Sequence, residues 1–322
     1  MVRLRRVEPY ASAGYSRLRS GRGFRYRDSA GAAVPVEERE RISAMAIPPA
    51  WTDVWISDRA NAHILAVGVD DAGRRQYIYH PAWREARDAV KFERALELAA
   101  ALPPARGRVT RDLATAGTTQ DRVLATSFRL LDRVAVRVGG EAYFEANGSF
   151  GLSTLLVRHV RLADETLRLS FPAKSGQHMI AEVTDAALAE VASGLLERSA
   201  RSRFLAWQDD DRFRPLSAVQ INEYVRLVTG GDFTAKDFRT LRGTIAAAVS
   251  LAESGPPKTE REAARAVRTA AVAASEVLGN TPTVARTSYI DPAVIERYRR
   301  GETIALTGSP ERALLDLLGG DA

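Results

Sequence analysis

The chain has 322 residues, of which 45% are hydrophobic and 27% charged, a composition typical of a globular protein long enough for two domains. It contains no cysteine, which excludes disulfide scaffolds, thiolate nucleophiles and cysteine-ligated zinc, and its four histidines lack metal-ligand spacing. The formal net charge of +6 favours an anionic partner. The sequence shows neither a long apolar run nor a secretory signal, so we expect a cytoplasmic protein without a membrane span.

The first thirty residues hold eight arginines and two acidic residues, and this excess equals the whole formal net charge. Glycines and aromatic residues alternate with the arginines, which indicates a short twisted hairpin rather than a disordered tail. A solvated basic arm would explain the charge. Because arginine pairs well with phosphate, an arm that contacts phosphates through Arg17, Arg19 and Arg22 is the second interpretation.

Residues 24–80 alternate short apolar runs with turn residues, which predicts an antiparallel sheet. We predict strands over 24–27, 51–56, 63–69 and 76–79, with one short helix over 37–45. Tyr77 and Tyr79 alternate on one face of the last strand. They would either pack against neighbouring strands or contact DNA, since a pair of strands can enter the major groove.

From about residue 82 the apolar spacing becomes helical. Helices are predicted over 84–101, 119–138, 185–198, 216–229, 235–252 and 259–278, with Pro103-Pro104 and Gly255-Pro256-Pro257 as breaks. Strands are predicted over 157–162, 166–171 and 178–183. The fold class is therefore α+β, with a small antiparallel β-sheet domain over residues 1–82 and a larger, mainly α-helical domain with a small β-sheet over residues 83–322.

The residues with chemical potential form an ordered series of basic groups that ends in a tyrosine. The sequence has no phosphate-binding Gly-x-x-x-x-Gly-Lys loop, no dinucleotide fingerprint and no His-Glu-x-x-His motif, so it supports neither ATP use nor metal hydrolysis. Of the 46 basic residues only four are lysines, and two of those four lie in this series. Its members, in the segments RVGGEAYFEANGSFGLSTL, FPAKSGQ, FTAKDFRT and LGNTPTVARTSYIDP, are Arg137, Lys174, Lys236, Arg239, Asn280 and Tyr289.

These motifs, in this order, resemble the type IB DNA topoisomerases in their compact bacterial and poxvirus form. The resemblance extends from about Ser12 to Tyr298, and the segments SRLRSGRGFRYRD, IPPAWTDVWI and QYIYHP resemble the DNA-clamping domain of that family. It implies the fold that topoisomerases IB share with tyrosine recombinases, and a monomer that clamps double-stranded DNA in the nucleoid. It also implies that the reaction needs no cofactor, neither ATP nor another nucleotide nor a metal ion.

The resemblance assigns a role to each member of the series. It implies that Tyr289 is the nucleophile of a 3′-phosphotyrosyl intermediate and that Arg137 and Arg239 stabilise the pentavalent phosphate. It implies that Lys174 is the general acid toward the 5′-oxygen and that Lys236 contacts a phosphate or a base. These residue types suit the chemistry, because a phenol with a pKa of ~10 is a weak nucleophile until cations stabilise it.

The sequence departs from the family pattern at two places. Asn280 stands where many members have a histidine; its amide can donate a hydrogen bond to a phosphate oxygen but carries no charge. We therefore expect a retained but weaker contribution. Leu241 and Arg242 follow the FRT motif, where the family has an aromatic and a small residue, so the local packing is in question. We interpret Arg133, His159 and His178 as structural.

Two other functions are compatible with parts of this pattern. A tyrosine site-specific recombinase uses the same phosphotyrosyl chemistry, but such enzymes have His-x-x-Arg in place of Lys236-Asp-Phe-Arg239 and a helical N-terminal domain. They also have a long helix after the nucleophile, whereas residues 308–318 allow only a short one. A non-catalytic DNA-binding module would not require the complete basic series together with the tyrosine.

Overall fold

The computed structural model describes residues 3–319, and the chain divides into two compact units between Val90 and Lys91. Within residues 3–90 lies an antiparallel sheet of five strands in the order β2-β1-β3-β4-β5. The elements of this unit are β1 (Gly14–Ser20), β2 (Gly23–Arg27), α1 (Val36–Ala44), β3 (Thr52–Ser57), β4 (Ile64–Val69) and β5 (Arg75–Tyr79). The predicted strands and short helix are thus confirmed.

The arginine-rich segment forms the predicted hairpin. In the β1–β2 register Ser20 pairs with Gly23, so Gly21 and Arg22 form a two-residue turn, and the positive φ of 59° at Gly21 suits such a turn. Below the sheet, α1 contributes Ile42 to a core that it shares with Val54 and Ile56. The alternation of apolar and polar residues predicted this sheet because one face packs on a core and the other faces solvent.

The second unit is mainly helical, as predicted. Its elements after the first helix are α3 (Gln120–Val134), α4 (Glu141–Asn147), β6 (Val160–Ala163), β7 (Thr166–Pro172), β8 (His178–Thr184), α5 (Ala186–Leu196), β9 (Ala206–Asp209), β10 (Arg212–Pro215), α6 (Ala218–Thr229), α7 (Ala235–Ser254), α8 (Glu260–Leu278), α9 (Pro282–Ser288), α10 (Pro292–Arg299) and α11 (Pro310–Leu318). One large apolar core joins these elements. The predicted α+β fold class is confirmed, and none of the described helices has the length and apolarity to span a membrane.

The first helix of the second half, α2 (Pro81–Leu113), continues past the prolines that were predicted to end it near residue 101. A proline inside a helix costs about 3 kcal/mol, because it removes a donor and crowds the preceding turn. Leu98, Leu102 and Val109 are fully buried on both sides of Pro103. Each such side chain contributes about 1.5–3 kcal/mol on burial, so packing outweighs the local cost.

The central helix α3 ends four residues earlier than predicted. Ala135 adopts a left-handed conformation with φ 49° and ends the helix after Val134, although the apolar run continues. Arg137 therefore lies in an irregular segment beyond the helix and not at its last turn. Burial of Ala135 and Val136 explains the error, since apolar spacing does not distinguish a buried helical turn from a buried loop.

The small sheet has the antiparallel order β6-β7-β8. The β7–β8 register runs from Thr166 opposite Thr184 to Pro172 opposite His178. Residues 173–177 therefore form the tip of this hairpin, with Ser175 and Gly176 both left-handed. The hairpin was predicted, whereas α4, the β9–β10 hairpin, α9 and α10 are too short for the apolar pattern to indicate.

Candidate active site

The segment that carries Arg137 is fixed by a close approach of two glycine backbones. The Arg137 carbonyl accepts a hydrogen bond of 2.9 Å from the Leu152 amide, and the Val138 carbonyl accepts one of 2.8 Å from Ser153. A Cβ atom added at Gly151 would lie 2.5 Å from the Cα of Gly139. The glycines of the NGSFGL segment and of the Gly139-Gly140 pair thus allow the two loops to touch, and this contact sets the position of Arg137.

Arg239 lies in the second turn of α7, whose N-terminus is stabilised by a capping box between Thr234 and Asp237. Its side chain is only 3% exposed. The guanidinium donates from Nη1 to the Ala135 carbonyl at 2.5 Å and from Nη2 to the Leu278 carbonyl at 2.8 Å. Its Nε is buried and has no hydrogen-bond partner within residues 3–319. The left-handed turn that ends α3 therefore supplies one of the two carbonyls that orient this arginine.

Tyr289 ends α9 and is held by α7. Its carbonyl accepts a hydrogen bond of 3.0 Å from the Thr244 hydroxyl, which in turn accepts one of 3.2 Å from the Asp291 amide. A Cβ atom at Gly243 would lie 3.0 Å from the Cβ of Tyr289, so the glycine leaves room for the tyrosine. The guanidinium carbon of Arg239 lies 5.2 Å from the centre of the Tyr289 ring.

The charges around Tyr289 favour its ionised form. Burial raises the pKa of the phenol, whereas the charge and hydrogen bond of Arg239 and the charges of Arg137 and Lys236 lower it. The lowering effect is the larger one, so the pKa of Tyr289 falls below its ordinary value. Burial and the positive charge of Arg137 lower the pKa of Arg239 to about 10, which leaves its guanidinium charged at neutral pH. The site thus stabilises negative charge at the tyrosine oxygen.

Lys174 lies at the tip of the β7–β8 hairpin, which is tied to the Arg137 region. The Phe150 amide donates to the Pro172 carbonyl at 2.8 Å, and the Ala173 amide donates to the Gln177 carbonyl at 2.7 Å across the tip. One cavity of about 330 Å³ is lined by five of the predicted residues, namely Arg137, Lys174, Lys236, Arg239 and Tyr289. Four separate segments of the chain supply these five side chains.

Asn280 lies next to this cavity without lining it. It follows Gly279, a left-handed residue that ends α8, and its amide N–H donates to the Ser275 carbonyl at 3.2 Å. Its side-chain Oδ1 and Nδ2 are both buried, and neither has a hydrogen-bond partner in the described part of the chain. A buried primary amide without partners is costly, which points to a ligand or substrate group that satisfies it.

The remaining residues that were interpreted as structural lie outside the cavity. His159 is buried, accepts a hydrogen bond of 3.2 Å at Nδ1 from the Leu156 amide, and contacts Phe150 edge-on. Burial lowers its pKa to about 4, with smaller contributions from Arg158 and His178, so it is neutral at physiological pH. His178 is exposed, with its Nε2 2.9 Å from the Ser170 hydroxyl, and Arg133 is exposed on α3.

Arg242, whose packing the sequence left in question, is half-buried and forms ion pairs with Asp132 and Glu311. Gly243, Thr244, Ala135 and Gly151 also position the site, and the sequence analysis did not identify them. Only the glycines carried a signal, since NGSFGL and RGT place glycine where no turn or break is predicted. Every residue has a backbone carbonyl, so the sequence does not indicate that the carbonyl of Ala135 binds Arg239.

In the first unit the predicted DNA-contacting residues differ in availability. The guanidinium of Arg17 is engaged by the carbonyls of Ile47, Pro48 and Trp51, at 3.3, 3.0 and 2.6 Å, and stacks on Phe24. Arg19 and Arg22 are exposed at the end of the same hairpin. The structure thus gives Arg17 a role within the fold and leaves Arg19 and Arg22 available to a phosphate.

Tyr77 and Tyr79 lie on the same face of β5, as the alternation predicts. Their rings stack with centroids 5.8 Å apart and an interplanar angle of 17°, and the residues are 40% and 37% exposed. The two rings therefore form an exposed aromatic pair. Among residues 3–319, no group of three or more histidine and acidic side chains converges as a metal site would require.

The chain matches known proteins over most of its length. A family model described as the catalytic core of eukaryotic DNA topoisomerase I matches residues 80–305, and one for the N-terminal domain of bacterial DNA topoisomerase IB matches residues 23–70. The chain is 27% identical over 300 residues to DNA topoisomerase 1B of Acanthamoeba polyphaga mimivirus, covering 91% of this chain and 89% of that one. It is 21% identical over 270 residues to DNA topoisomerase I of monkeypox virus, covering 81% and 82%. The chain therefore belongs to the type IB DNA topoisomerases.

Proposed function

We propose that this enzyme relaxes supercoiled DNA by cutting one strand through a covalent 3′-phosphotyrosyl bond at Tyr289 and then resealing it. The observation that carries the proposal is the contact between Arg239 and Tyr289 in a cavity that Arg137, Lys174 and Lys236 also line. A tyrosine whose oxygen is stabilised by cations is an activated nucleophile, and the same cations suit a phosphodiester.

In the first step the phenol of Tyr289 loses its proton to solvent water, and its oxygen attacks the phosphorus. Arg239, Arg137 and Lys236 favour the phenolate, as the lowered pKa of Tyr289 indicates. As the new bond forms, negative charge builds on the non-bridging oxygens. Arg137 and the free Nε of Arg239 are the donors that we assign to those oxygens. Donors that are already oriented stabilise this charge without further reorganisation.

The bond between phosphorus and the 5′-oxygen breaks in the same step, and that oxygen needs a proton. We assign the proton to the ammonium of Lys174, which lies at the hairpin tip and lines the cavity. Resealing reverses the step, since neutral Lys174 then takes the proton back from the 5′-hydroxyl.

Asn280 is assigned to a non-bridging phosphate oxygen through its Nδ2. Both polar atoms of its amide are buried without partners in residues 3–319, which is the state expected of a side chain whose partner is the substrate. Arg239 donates to the carbonyl of Leu278, two residues earlier, so the turn that carries Asn280 is fixed to the same arginine.

The covalent link conserves the energy of the broken phosphodiester, so resealing requires neither ATP nor a metal ion. Between the two steps the free 5′ end can rotate, which relaxes positive and negative supercoils alike. We propose that the enzyme acts as a monomer that clamps duplex DNA in the nucleoid. In the first unit, residues 1–82 would supply phosphate contacts from Arg19 and Arg22 and groove contacts from Tyr77 and Tyr79.

Plasmid relaxation tests the proposal. Supercoiled plasmid incubated with the protein in EDTA and without ATP should become relaxed, and unchanged plasmid would refute the activity. Tyr289→Phe should bind DNA and relax none of it. The reaction can also be quenched with denaturant on nicked duplex whose cut strand is labelled at its 3′ or its 5′ end. Protein should then be attached to the fragment with the 5′ label, because the proposed phosphotyrosyl bond lies at the new 3′ end of that fragment. Relaxation by the Tyr289→Phe variant would show that the nucleophile is another residue.

A further inference from the structure

A closed ring of ion pairs joins four helices of the second unit. Asp132 on α3 accepts two hydrogen bonds from Arg106 on α2, at 2.8 and 2.9 Å, and one of 2.6 Å from Arg242 on α7. Glu311 on α11 accepts from Arg106 at 2.5 Å and lies 3.2 Å from Nη1 of Arg242. We call these four residues, Arg106, Asp132, Arg242 and Glu311, the ion cluster.

The two carboxylates of the ion cluster are buried, its two arginines are partly exposed, and the cluster is electrically balanced. Asp132 is 1% exposed and Glu311 is 6% exposed. Burial raises the pKa of Glu311, whereas hydrogen bonds from Arg106 and Ser309 lower it by a larger amount. The resulting pKa is about 2, so the carboxylate stays ionised. Two carboxylates face two guanidinium groups, and each carboxylate contacts both. Removing one partner of such a set leaves a buried charge uncompensated, so the four positions depend on one another.

The ion cluster lies one helical turn from the proposed catalytic arginine. On α7, Arg242 follows Arg239 by three residues, and at the end of α3, Ala135 follows Asp132 by three residues. Arg239 donates to the Ala135 carbonyl at 2.5 Å, while Arg242 donates from Nε to the Asp132 carbonyl, also at 2.5 Å. Residues three apart on a helix lie on the same side. Two parallel hydrogen bonds, one from Arg239 and one from Arg242, therefore fix α7 to the end of α3.

The hydrogen bond from Arg242 to the Asp132 carbonyl also bears on the position of Arg137. The segment after Ala135 leads directly to Arg137, so a shift between α3 and α7 would move both arginines relative to Tyr289. The carbonyl of Asp132 and its carboxylate both bind Arg242, which fixes the guanidinium in two directions. Glu311 supplies the second negative charge that balances Arg106 and Arg242, and Ser309 holds Glu311 with a bond of 2.7 Å.

We propose that Arg242 is a positioning residue for Arg239 and Arg137, and that α11 is part of the active-site support through Glu311. The inference rests on the proposed catalytic role of Arg239. Arg242 is thus a functional departure from the small residue expected at this position after the FRT motif. In this inference α11, the second helix after the proposed nucleophile, completes a support for the arginines.

The test compares Arg242→Lys and Glu311→Gln with the control Arg312→Gln, which removes an exposed ion pair to Asp316 on the same helix. Lysine keeps the charge of Arg242 but loses its forked donors. The readouts are the single-turnover rate of plasmid relaxation at saturating protein, the Kd for duplex DNA measured in a Tyr289→Phe background, and the Tm. Both cluster variants should relax plasmid about 10- to 100-fold more slowly with unchanged Kd, because small misplacement of a reacting group has that effect. The control should match wild type.

A combination with Arg239→Ala separates positioning from general stability. If Arg242 acts through Arg239, then Arg242→Lys should lower the rate little further in the Arg239→Ala background, while the losses in Tm still add. Losses in rate that add in the double variant would overturn the inference about Arg242. Wild-type rates in both cluster variants, with a slow Arg239→Ala, would do the same and would leave the catalytic assignment of Arg239 intact. A wild-type rate for Arg239→Ala would instead reject the catalytic assignment. Should Glu311→Gln fail to fold, Ser309→Ala removes one bond to Glu311 and should give a smaller loss of the same kind.

Discussion

Met179 on β8 packs against Gly279, the left-handed residue between α8 and Asn280. A Cβ atom at Gly279 would lie 2.5 Å from the Met179 sulfur, and the φ of this glycine is 56°. The hairpin that carries Lys174 therefore contacts the turn that carries Asn280. Because β8 and the end of α8 meet at a residue without a side chain, the two parts of the site keep a fixed distance.

The first prediction follows from that contact. Gly279→Ala should destabilise the protein by more than the ~1–2 kcal/mol that a left-handed alanine costs, because Met179 must also move. Gly230→Ala is the matched control, since Gly230 ends α6 with φ 71° and has open space around its Cα. Urea unfolding should show a clearly larger loss for Gly279→Ala, accompanied by slower relaxation. Equal losses in the two variants would mean that the Met179 contact does not constrain the turn.

The second prediction concerns the charge that activates Tyr289. The cations of the site lower the pKa of the phenol, with Arg239 the largest of these contributions, and the phenolate is the reactive form in the proposed reaction. In Arg239→Ala the pKa of Tyr289 should rise, so the relaxation rate should keep increasing to a higher pH than in wild type. Single-turnover relaxation measured across the alkaline range would show this shift.

Arg133→Ala is the control for that experiment, because Arg133 is exposed on α3 and lies outside the cavity. Its pH profile should coincide with that of the wild-type protein. If Arg239→Ala lowered the rate by the same factor at every pH, its role would be confined to the phosphate, and the phenol would be activated by other groups.

How far the sequence predicts this molecule depends on the kind of interaction. The strands of the first unit and the long helices follow from apolar periodicity, and they were predicted within about four residues at each end, except that α2 continues 12 residues past its predicted end. The basic series was recognised because its residue types and order resemble a family. Arg137 was placed in a helix, however, because the left-handed turn at Ala135 depends on packing that local pattern does not contain.

The ion cluster shows the same limit at long range. Arg106 and Glu311 are 205 positions apart, and the sequence near each gives no reason to pair them. Arg242 was noticed only as a departure from a family pattern. Likewise, the carbonyls of Ala135 and Leu278, which orient Arg239, are available from any residue type. Sequence thus indicates which side chains act, whereas the backbone and the remote charges that hold them become evident only in the fold.

The third prediction concerns acid stability. His159 has a folded-state pKa of about 4, below the ordinary value of 6.5, so the unfolded chain binds a proton in this interval and the folded chain does not. Stability is therefore retained above pH 6.5 and lost as the pH falls toward 4. At pH 5 the loss from His159 should be about 2 kcal/mol. His159→Gln should remove this part of the pH dependence.

Urea unfolding of the wild-type protein and of His159→Gln, at pH 7 and at pH 5, would measure this change in the free energy of unfolding. Between pH 7 and pH 5 the carboxylates of the ion cluster contribute little, because their stabilising effect is lost mainly below their ordinary pKa values of 4.5 for Glu311 and 3.8 for Asp132, as the pH falls toward the lowered folded-state values. A difference between pH 7 and pH 5 that is the same in wild type and His159→Gln would assign the acid sensitivity to other groups, among them His63, whose pKa burial also lowers.

The last prediction separates function from stability at Asn280. Its two side-chain polar atoms are buried without partners in residues 3–319, so the folded protein bears a cost that alanine would relieve. Asn280→Ala should therefore leave the free energy of unfolding unchanged or raise it by up to about 1 kcal/mol. The same change should slow relaxation by about 10-fold, because one charge-assisted hydrogen bond to the phosphate is lost. Urea unfolding and single-turnover relaxation on the same preparation would show both effects, while a loss of stability with an unchanged rate would mean that the amide serves the fold and not the phosphate.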